Sequence, residues 1–302
     1  MDKIRFDGKT AIITGAGSGL GRSYAIELAS RGANVVVNDI GSQRDGLGEN
    51  HSPADIVVEE IRKSGGKAAA NYDSVATVAG GESIVKTAIE NFGSVDILIN
   101  NAGILRDKSL IKMEEDDWDK LMSVHLKGAF CVTKPAFAYM KEKGYGRIIF
   151  TSSGSALYGN FGQTNYSSVK MGLIGFMNSL KIEGAKYNIF INSIVPIAAS
   201  RMTKDVWPEA IHEKLSPEFV TPMAVYLSSE KCTESGMIFN CSGGWFSRSA
   251  IVCASGVIIG DGKRKIEAEE IFENRDKILN IDDGKVLNNV AESIGYLSKL
   301  LS

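Results

Sequence analysis

Short apolar runs rich in β-branched residues recur along most of the chain, separated by longer stretches whose apolar positions return every three or four residues. The first pattern is that of strands buried on both faces, and the second that of amphipathic helices. Strands are predicted at 10–14, 34–38, 68–72, 95–100, 147–151, 190–195 and 237–240, with helices at 19–31, 54–64, 78–92, 115–142 and 165–187. Regular alternation of the two builds βαβ units, so the expected fold class is α/β, a doubly wound seven-stranded parallel sheet over residues 1–245. After Gly243-Gly244-Trp245 the pattern changes. Residues 250–259 read as strand-like, then 263–280 and 286–301 as charged amphipathic helices. Residues 246–302 are therefore expected to form a C-terminal extension packing on the same domain or on a dimer mate, either as a surface tail or as a lid.

Composition narrows the function classes. Hydrophobic residues make up 44% of the 302 positions and charged ones 23%, enough apolar material for one large buried core and too much for disorder. A formal charge of −2 and the lack of a basic run argue against a nucleic-acid partner. Cys131, Cys232, Cys241 and Cys253 are scattered, and His51, His125 and His212 lie far apart, so reduced thiols and no metal site are expected. The first residues lack the apolar core of a signal peptide, and no apolar run approaches the ~20 residues that span a bilayer. A soluble, cytoplasmic protein without a membrane partner is the expectation. Ser298-Lys299-Leu300 has the letters of a peroxisomal address, but Leu301 and Ser302 follow it, and that address is read at the terminus. Peroxisomal placement would need a partner or a further domain.

Two motifs carry the chemistry. Thr14-Gly15-Ala16-Gly17-Ser18-Gly19-Leu20-Gly21 falls between the first predicted strand and helix. Glycines there let the backbone approach a pyrophosphate, and the helix N-terminus offers unpaired N–H groups to its oxygens. Its spacing is Gly-x-x-x-Gly-x-Gly rather than the common Gly-x-Gly-x-x-Gly. Asp39 ends the second strand about 20 residues on, the position that binds an adenosine ribose. An acid there repels a 2′-phosphate, and no Arg or Lys directly follows it, so NAD is favoured over NADP. The second motif is Ser153 with Tyr166 and Lys170. A phenol with a pKa of ~10 is a weak acid–base, and an ammonium one helical turn away is expected to lower that pKa. Ser153 can then hold the carbonyl or hydroxyl oxygen on which the proton is exchanged.

Together these residues resemble the short-chain dehydrogenase/reductase family. The resemblance implies a Rossmann fold, catalysis by Ser153, Tyr166 and Lys170, and an NAD site built by Gly15, Ser18, Gly19, Leu20, Gly21, Asp39, Asp73, Ser74, Asn101, Ala102, Gly103, Tyr166, Lys170, Ala198 and Thr203. Asn100-Asn101-Ala102-Gly103 matches the family's Asn-Asn-Ala-Gly in full, and Asp73 matches its adenine-binding acid. Two positions depart from the pattern. His125 stands where the family usually has an Asn, and Pro196-Ile197 replaces its Pro-Gly. His125, residues 101–107 and 158–166, the stretch 200–203 and the Gly-rich segment 41–53 are similar to the (3R)-hydroxyacyl-CoA dehydrogenase units of the multifunctional β-oxidation enzymes, a branch of the family. That likeness implies an acyl-CoA-like substrate and a homodimer or homotetramer paired through the helices at 115–142 and 165–187. His125 is either a proton-relay member or a core histidine, and Arg201 and Lys204 either face CoA phosphates or solvent. A 3-oxoacyl-carrier-protein reductase or other secondary-alcohol reductase remains open, as does a non-catalytic NAD-binding sensor.

Overall fold

A computed structural model describes residues 2–198 and 213–301. Their contacts divide into two compact units, Met1–Arg248 and Ser249–Ser302.

In the first unit, β1 (Thr10–Thr14), β2 (Asn34–Asn38), β3 (Lys67–Asn71), β4 (Ile97–Asn100), β5 (Gly146–Thr151), β6 (Ile189–Pro196) and β7 (Ile238–Ser242) pair in parallel. Each lies within about two residues of its predicted position. An eighth strand, β8 (Trp245–Ser249), lies at the edge beside β7, so the main sheet has eight strands, not seven. Only two residues join β7 to β8, a connection that fits antiparallel neighbours alone. Trp245 and Phe246 stay exposed on this edge, which is why no buried apolar run marked it.

The order β3-β2-β1-β4-β5-β6-β7-β8 reverses direction between β1 and β4. Loops leaving the carboxyl ends on either side of that point diverge and leave a crevice. Alternate side chains of each strand point to opposite faces. Ile13, Val35, Val37 and Ile99 pack against Tyr24, Leu28, Val57 and Ile61 from α1 (Gly19–Ser30) and α2 (Ser52–Lys63). Ile12, Val36, Leu98 and Phe150 pack against Ile84, Val132, Leu173 and Met177 on the other face.

That second face is built by α3 (Val78–Phe92), α5 (Gly128–Lys143) and α7 (Thr164–Gly184), while α4 (Glu115–Leu121) packs on α7 through Leu121 and Val169. The helix expected at 115–142 is helical throughout but not uniform, because a π-helical segment, Met122–Lys127, joins α4 to α5. Two short helices went unanticipated, α6 (Gly154–Tyr158) and α8 (Thr221–Ser228).

In the second unit, the segment expected as strand over 250–259 pairs only at Val252–Cys253, antiparallel to Lys285–Val286. The helix expected over 263–280 is two short ones, α9 (Ala268–Glu273) and α10 (Arg275–Leu279), which meet at Asn274, the C-cap of one and the N-cap of the other. The last, α11, runs Val290–Leu301. Among the described residues no helix is long and apolar enough to cross a membrane.

Candidate active site

The turn after β1 is shaped by what a side chain would meet. Gly15 has φ +64°, a left-handed conformation that suits glycine, and a Cβ on it would lie 2.8 Å from the Ala102 Cα. A Cβ on Gly21 would collide with the Gly15 carbonyl oxygen. This close approach is held by polar lacing between the loops after β1 and β4. The Asn101 side-chain amide donates to the carbonyls of Thr14 (3.0 Å) and Gly15 (3.1 Å), while the Thr14 hydroxyl accepts from the amides of Asn101 (3.0 Å) and Ala102 (3.1 Å). Asn100, inside β4, donates instead to Thr133 in α5 at 3.0 Å. Asn101 thus ties the two sides of the switch point, and Ser18 stands at the N-cap of α1 facing the crevice.

The crevice has a volume of about 230 Å³. Gly15, Ser18, Gly19, Leu20, Asp39, Asp73, Ser74, Asn101, Ala102 and Gly103, ten of the residues expected to bind the cofactor, all line it. Gly21 lies beneath it, in contact range of Gly15. Ala198 is buried two residues past β6 and is not among the residues lining the crevice; Thr203, Arg201 and Lys204 lie outside the described residues. Asp39 is held by two backbone donors, Gly17 N to Oδ2 and Gly41 N to Oδ1, both at 2.7 Å. Asp73 is fixed by Asn71 (2.8 Å) and Ser83 (2.7 Å), and Asn71 in turn by Asn38 (2.8 Å), so the ends of β2 and β3 and the first turns of α3 form one polar network. Sequence reasoning missed the crevice's other wall, where Ile40, Ser42, Gln43, Arg44 and Gly46 come from the loop after β2. Its glycines were the available signal.

Ser153 follows β5 and N-caps α6, its hydroxyl accepting from the Ser155 amide at 3.2 Å. Tyr166 and Lys170 stand one turn apart on α7. The Lys170 ammonium nitrogen donates to the Thr151 carbonyl at 2.7 Å and lies 5.5 Å from the centre of the Tyr166 ring. Burial pushes the Tyr166 phenol up to about 12, with the Ser153 hydrogen bond acting in the opposite direction and Asp107 adding to the rise. Burial pushes Lys170 down to about 7. This is the reverse of the depressed phenol expected from the spacing. Loss of solvation outweighs the pairing because the amine is spent on a carbonyl rather than on the phenol.

His125 lies in the π-helical segment, 2% exposed, edge-on to Tyr166 at 5.5 Å between ring centres. Its Nε2 is 2.8 Å from the Ile104 carbonyl oxygen and 3.0 Å from the Ile104 amide nitrogen. Nδ1 has no partner among the described residues, and a void of about 10 Å³ lies beside it, lined also by Lys170, Thr14 and Asn100. Burial, with Lys170 adding to it, holds the imidazole well below its usual range, so the ring is neutral. Ala102, Val75 and Val124 line both this void and the crevice, which places Lys170 directly behind the crevice wall.

Residues 9–210 match the family model described as short chain dehydrogenase. Peroxisomal multifunctional enzyme type 2 of Mus musculus is 46% identical over 99% of this chain, which spans 40% of that protein. The solved structure of full-length peroxisomal multifunctional enzyme type 2 from Drosophila melanogaster superposes with a TM-score of 0.85 at 40% identity, over 99% of this chain and 50% of the fly chain. A solved 7α-hydroxysteroid dehydrogenase complexed with NADH and 7-oxo glycochenodeoxycholic acid superposes with a TM-score of 0.71 at 32% identity, over 80% of this chain and 95% of its own. The chain thus spans half or less of the two multifunctional enzymes and most of the steroid enzyme's fold. Its crevice at the β1/β4 switch point, its Ser153-Tyr166-Lys170 cluster and these matches agree, and the chain belongs to the short chain dehydrogenase family.

Proposed function

We propose that the chain is an oxidoreductase that interconverts a (3R)-3-hydroxyacyl-CoA and the 3-ketoacyl-CoA with NAD. The observation that carries the reading is the adjacency of the switch-point crevice to the buried Lys170 amine across the wall formed by Ala102 and Val124, with the half-buried Tyr166 ring 5.5 Å from that amine. A nicotinamide dinucleotide bound in the crevice would supply the hydride acceptor or donor. Its fit rests on Gly15 and Gly21, where an added Cβ would meet neighbouring backbone, on the N-terminus of α1, whose Gly19 and Leu20 line the crevice and would offer N–H groups to phosphates, and on Asp39 and Asp73, which line it too and would hold an adenosine.

The chain's own groups handle the proton. At neutral pH the Tyr166 phenol keeps its hydrogen, so in the reducing direction it donates to the substrate's carbonyl oxygen as that oxygen gains charge. Ser153, fixed at the head of α6, holds the same oxygen by a hydrogen bond. The proton that Tyr166 gives up is regained from solvent, and Lys170, with a pKa of about 7 and its nitrogen 5.5 Å from the ring centre, would steady the phenolate in between while it carries its own proton. Oxidation runs the same transfers backwards.

NAD over NADP is supported by Asp39, an acid just past β2 that lines the crevice and whose charge would repel a 2′-phosphate. The acyl-CoA class is supported by the match to the multifunctional enzymes. We place the dehydrogenase domain at residues 1–245 and read 246–302 as its extension, with the α4–α5 and α7 faces pairing two subunits. Exposed Phe130 and the groove it shares with Met122, Leu126 and Phe176 suit such a contact. The test is oxidation of NADH, and separately of NADPH, with acetoacetyl-CoA, followed by the stereochemistry of the alcohol. NADH-linked turnover to the (3R) alcohol is expected; turnover with NADPH alone would reverse the cofactor assignment, and no turnover with either would remove the acyl-CoA assignment.

A further inference from the structure

The loop of residues 41–53 forms one wall of the crevice and takes no part in the proton chemistry. It is a built wall. Gln43 N donates to the Leu47 carbonyl at 2.8 Å, Gly46 N to the Gln43 carbonyl at 3.1 Å, and Asn50 N to the Ile40 carbonyl at 3.0 Å. The loop also docks on the segment after β4. Leu105 N donates to the Arg44 carbonyl at 2.9 Å, and the Arg106 guanidinium to the Asp45 carbonyl at 2.9 Å. Arg106 is itself anchored on Asp116 at 2.8 Å and Asp117 at 3.2 Å. The backbone at Arg44 is therefore held from within the loop and from across it.

The side chain is not held. Among the described residues the Arg44 guanidinium has no hydrogen bond or ion pair, while Asp39, five residues earlier, has both oxygens engaged by backbone amides. Arg44 is also the one Lys or Arg among the described residues that line the crevice, against two carboxylates, Asp39 and Asp73. Charge makes this informative. A dinucleotide brings two phosphate charges into a crevice that already carries two acids, and a helix N-terminus offers only about half an elementary charge in return. A guanidinium suits the deficit, because its fork matches phosphate oxygens in a bidentate pair.

We propose that Arg44 is a phosphate-binding residue, its guanidinium closing on the cofactor's pyrophosphate from the loop side, opposite the amides of α1. The proposal rests on the dinucleotide reading above. Because Arg44 presents its carbonyl to Leu105, closure on the phosphates also steadies the segment whose Ile104 contacts His125.

The experiment is a fluorescence titration with NADH of the full chain and of Arg44→Ala and Arg44→Lys, with ADP-ribose, adenosine and NADPH as competitors. Arg44→Ala is expected to weaken NADH and ADP-ribose by about tenfold or more, equivalent to about 1.4 kcal/mol, and adenosine by less than about twofold. Arg44→Lys should recover part of the loss. NADH affinity within about twofold of the unsubstituted chain would overturn the proposal. So would an equal loss for adenosine, which would place Arg44 on the base, or a loss confined to NADPH, which would place it on a 2′-phosphate. An unsubstituted chain that binds no NADH would instead overturn the dinucleotide reading itself.

Discussion

Lys170 is buried and Tyr166 half-buried, and loss of solvation pushes each towards its neutral form, up to about 12 for the phenol and down to about 7 for the amine. A phenol that keeps its hydrogen is a proton donor in waiting, and an amine near 7 that carries its own proton can steady the phenolate left behind. Removing the phenolic oxygen while keeping the ring tests this directly. Tyr166→Phe should cost about 10²–10⁴-fold in kcat and leave NADH affinity unchanged by titration; near-normal turnover would defeat the mechanism. His125 allows a second test at the same scale, because its folded pKa lies well below the ordinary 6.5. Above pH 6.5 the ring is neutral in both states and its full contribution to stability is present. As pH falls below 6.5 the unfolded chain takes up a proton that the folded one resists, and stability drops by up to about 1.4 kcal/mol per pH unit. Urea midpoints measured from pH 7.5 to 5 should therefore fall more steeply for the unsubstituted chain than for His125→Asn. Parallel curves would show that His125 titrates alike in both states.

Elements place these groups, and their legibility in the sequence varied with how much each depends on side-chain pattern. Strands β1 to β7 were legible because burial on both faces makes them continuous apolar runs. Asp39 and Asn101 were legible because they sit at strand ends. The π-helical turn was not, since a shift in backbone pairing leaves the apolar spacing of 115–142 nearly intact, yet that turn is where His125 comes from. Arg44 was not legible either, because its position is set by hydrogen bonds from residues about 60 positions later, to a loop with no period of its own. Helix packing behind the site supplies an element-scale prediction. Gly81 in α3 lies against the Cys131 carbonyl of α5, and an added Cβ would collide with that oxygen. Gly81→Ala should thus force α3 and α5 apart and cost about 1–3 kcal/mol in urea unfolding, although alanine is the better helix former. A gain in stability would mean that the helices have room to separate.

At the scale of the molecule, two apolar layers clamp the sheet from opposite faces, and both draw their buried members from residues 6–241. Every described residue lining the cofactor crevice falls between Gly15 and Val124. Among the described residues, those layers and that lining name none from Ser249–Ser302, a unit in which Phe272, Leu279, Val290 and Ile294 are exposed. Folding and dinucleotide binding should therefore be properties of the first unit alone. A chain ended at Arg248 is expected to unfold cooperatively and to bind NADH within about twofold of the full chain, as read by fluorescence titration. Apolar positions recurring along α11 at Val290, Ile294 and Leu297 are the spacing of a helix face made for contact, so the extension's effect should appear in turnover of acyl-CoA or in solution mass instead. Loss of NADH binding on truncation would show that the extension completes the cofactor site, and would move the boundary of the dehydrogenase domain to the end of the chain.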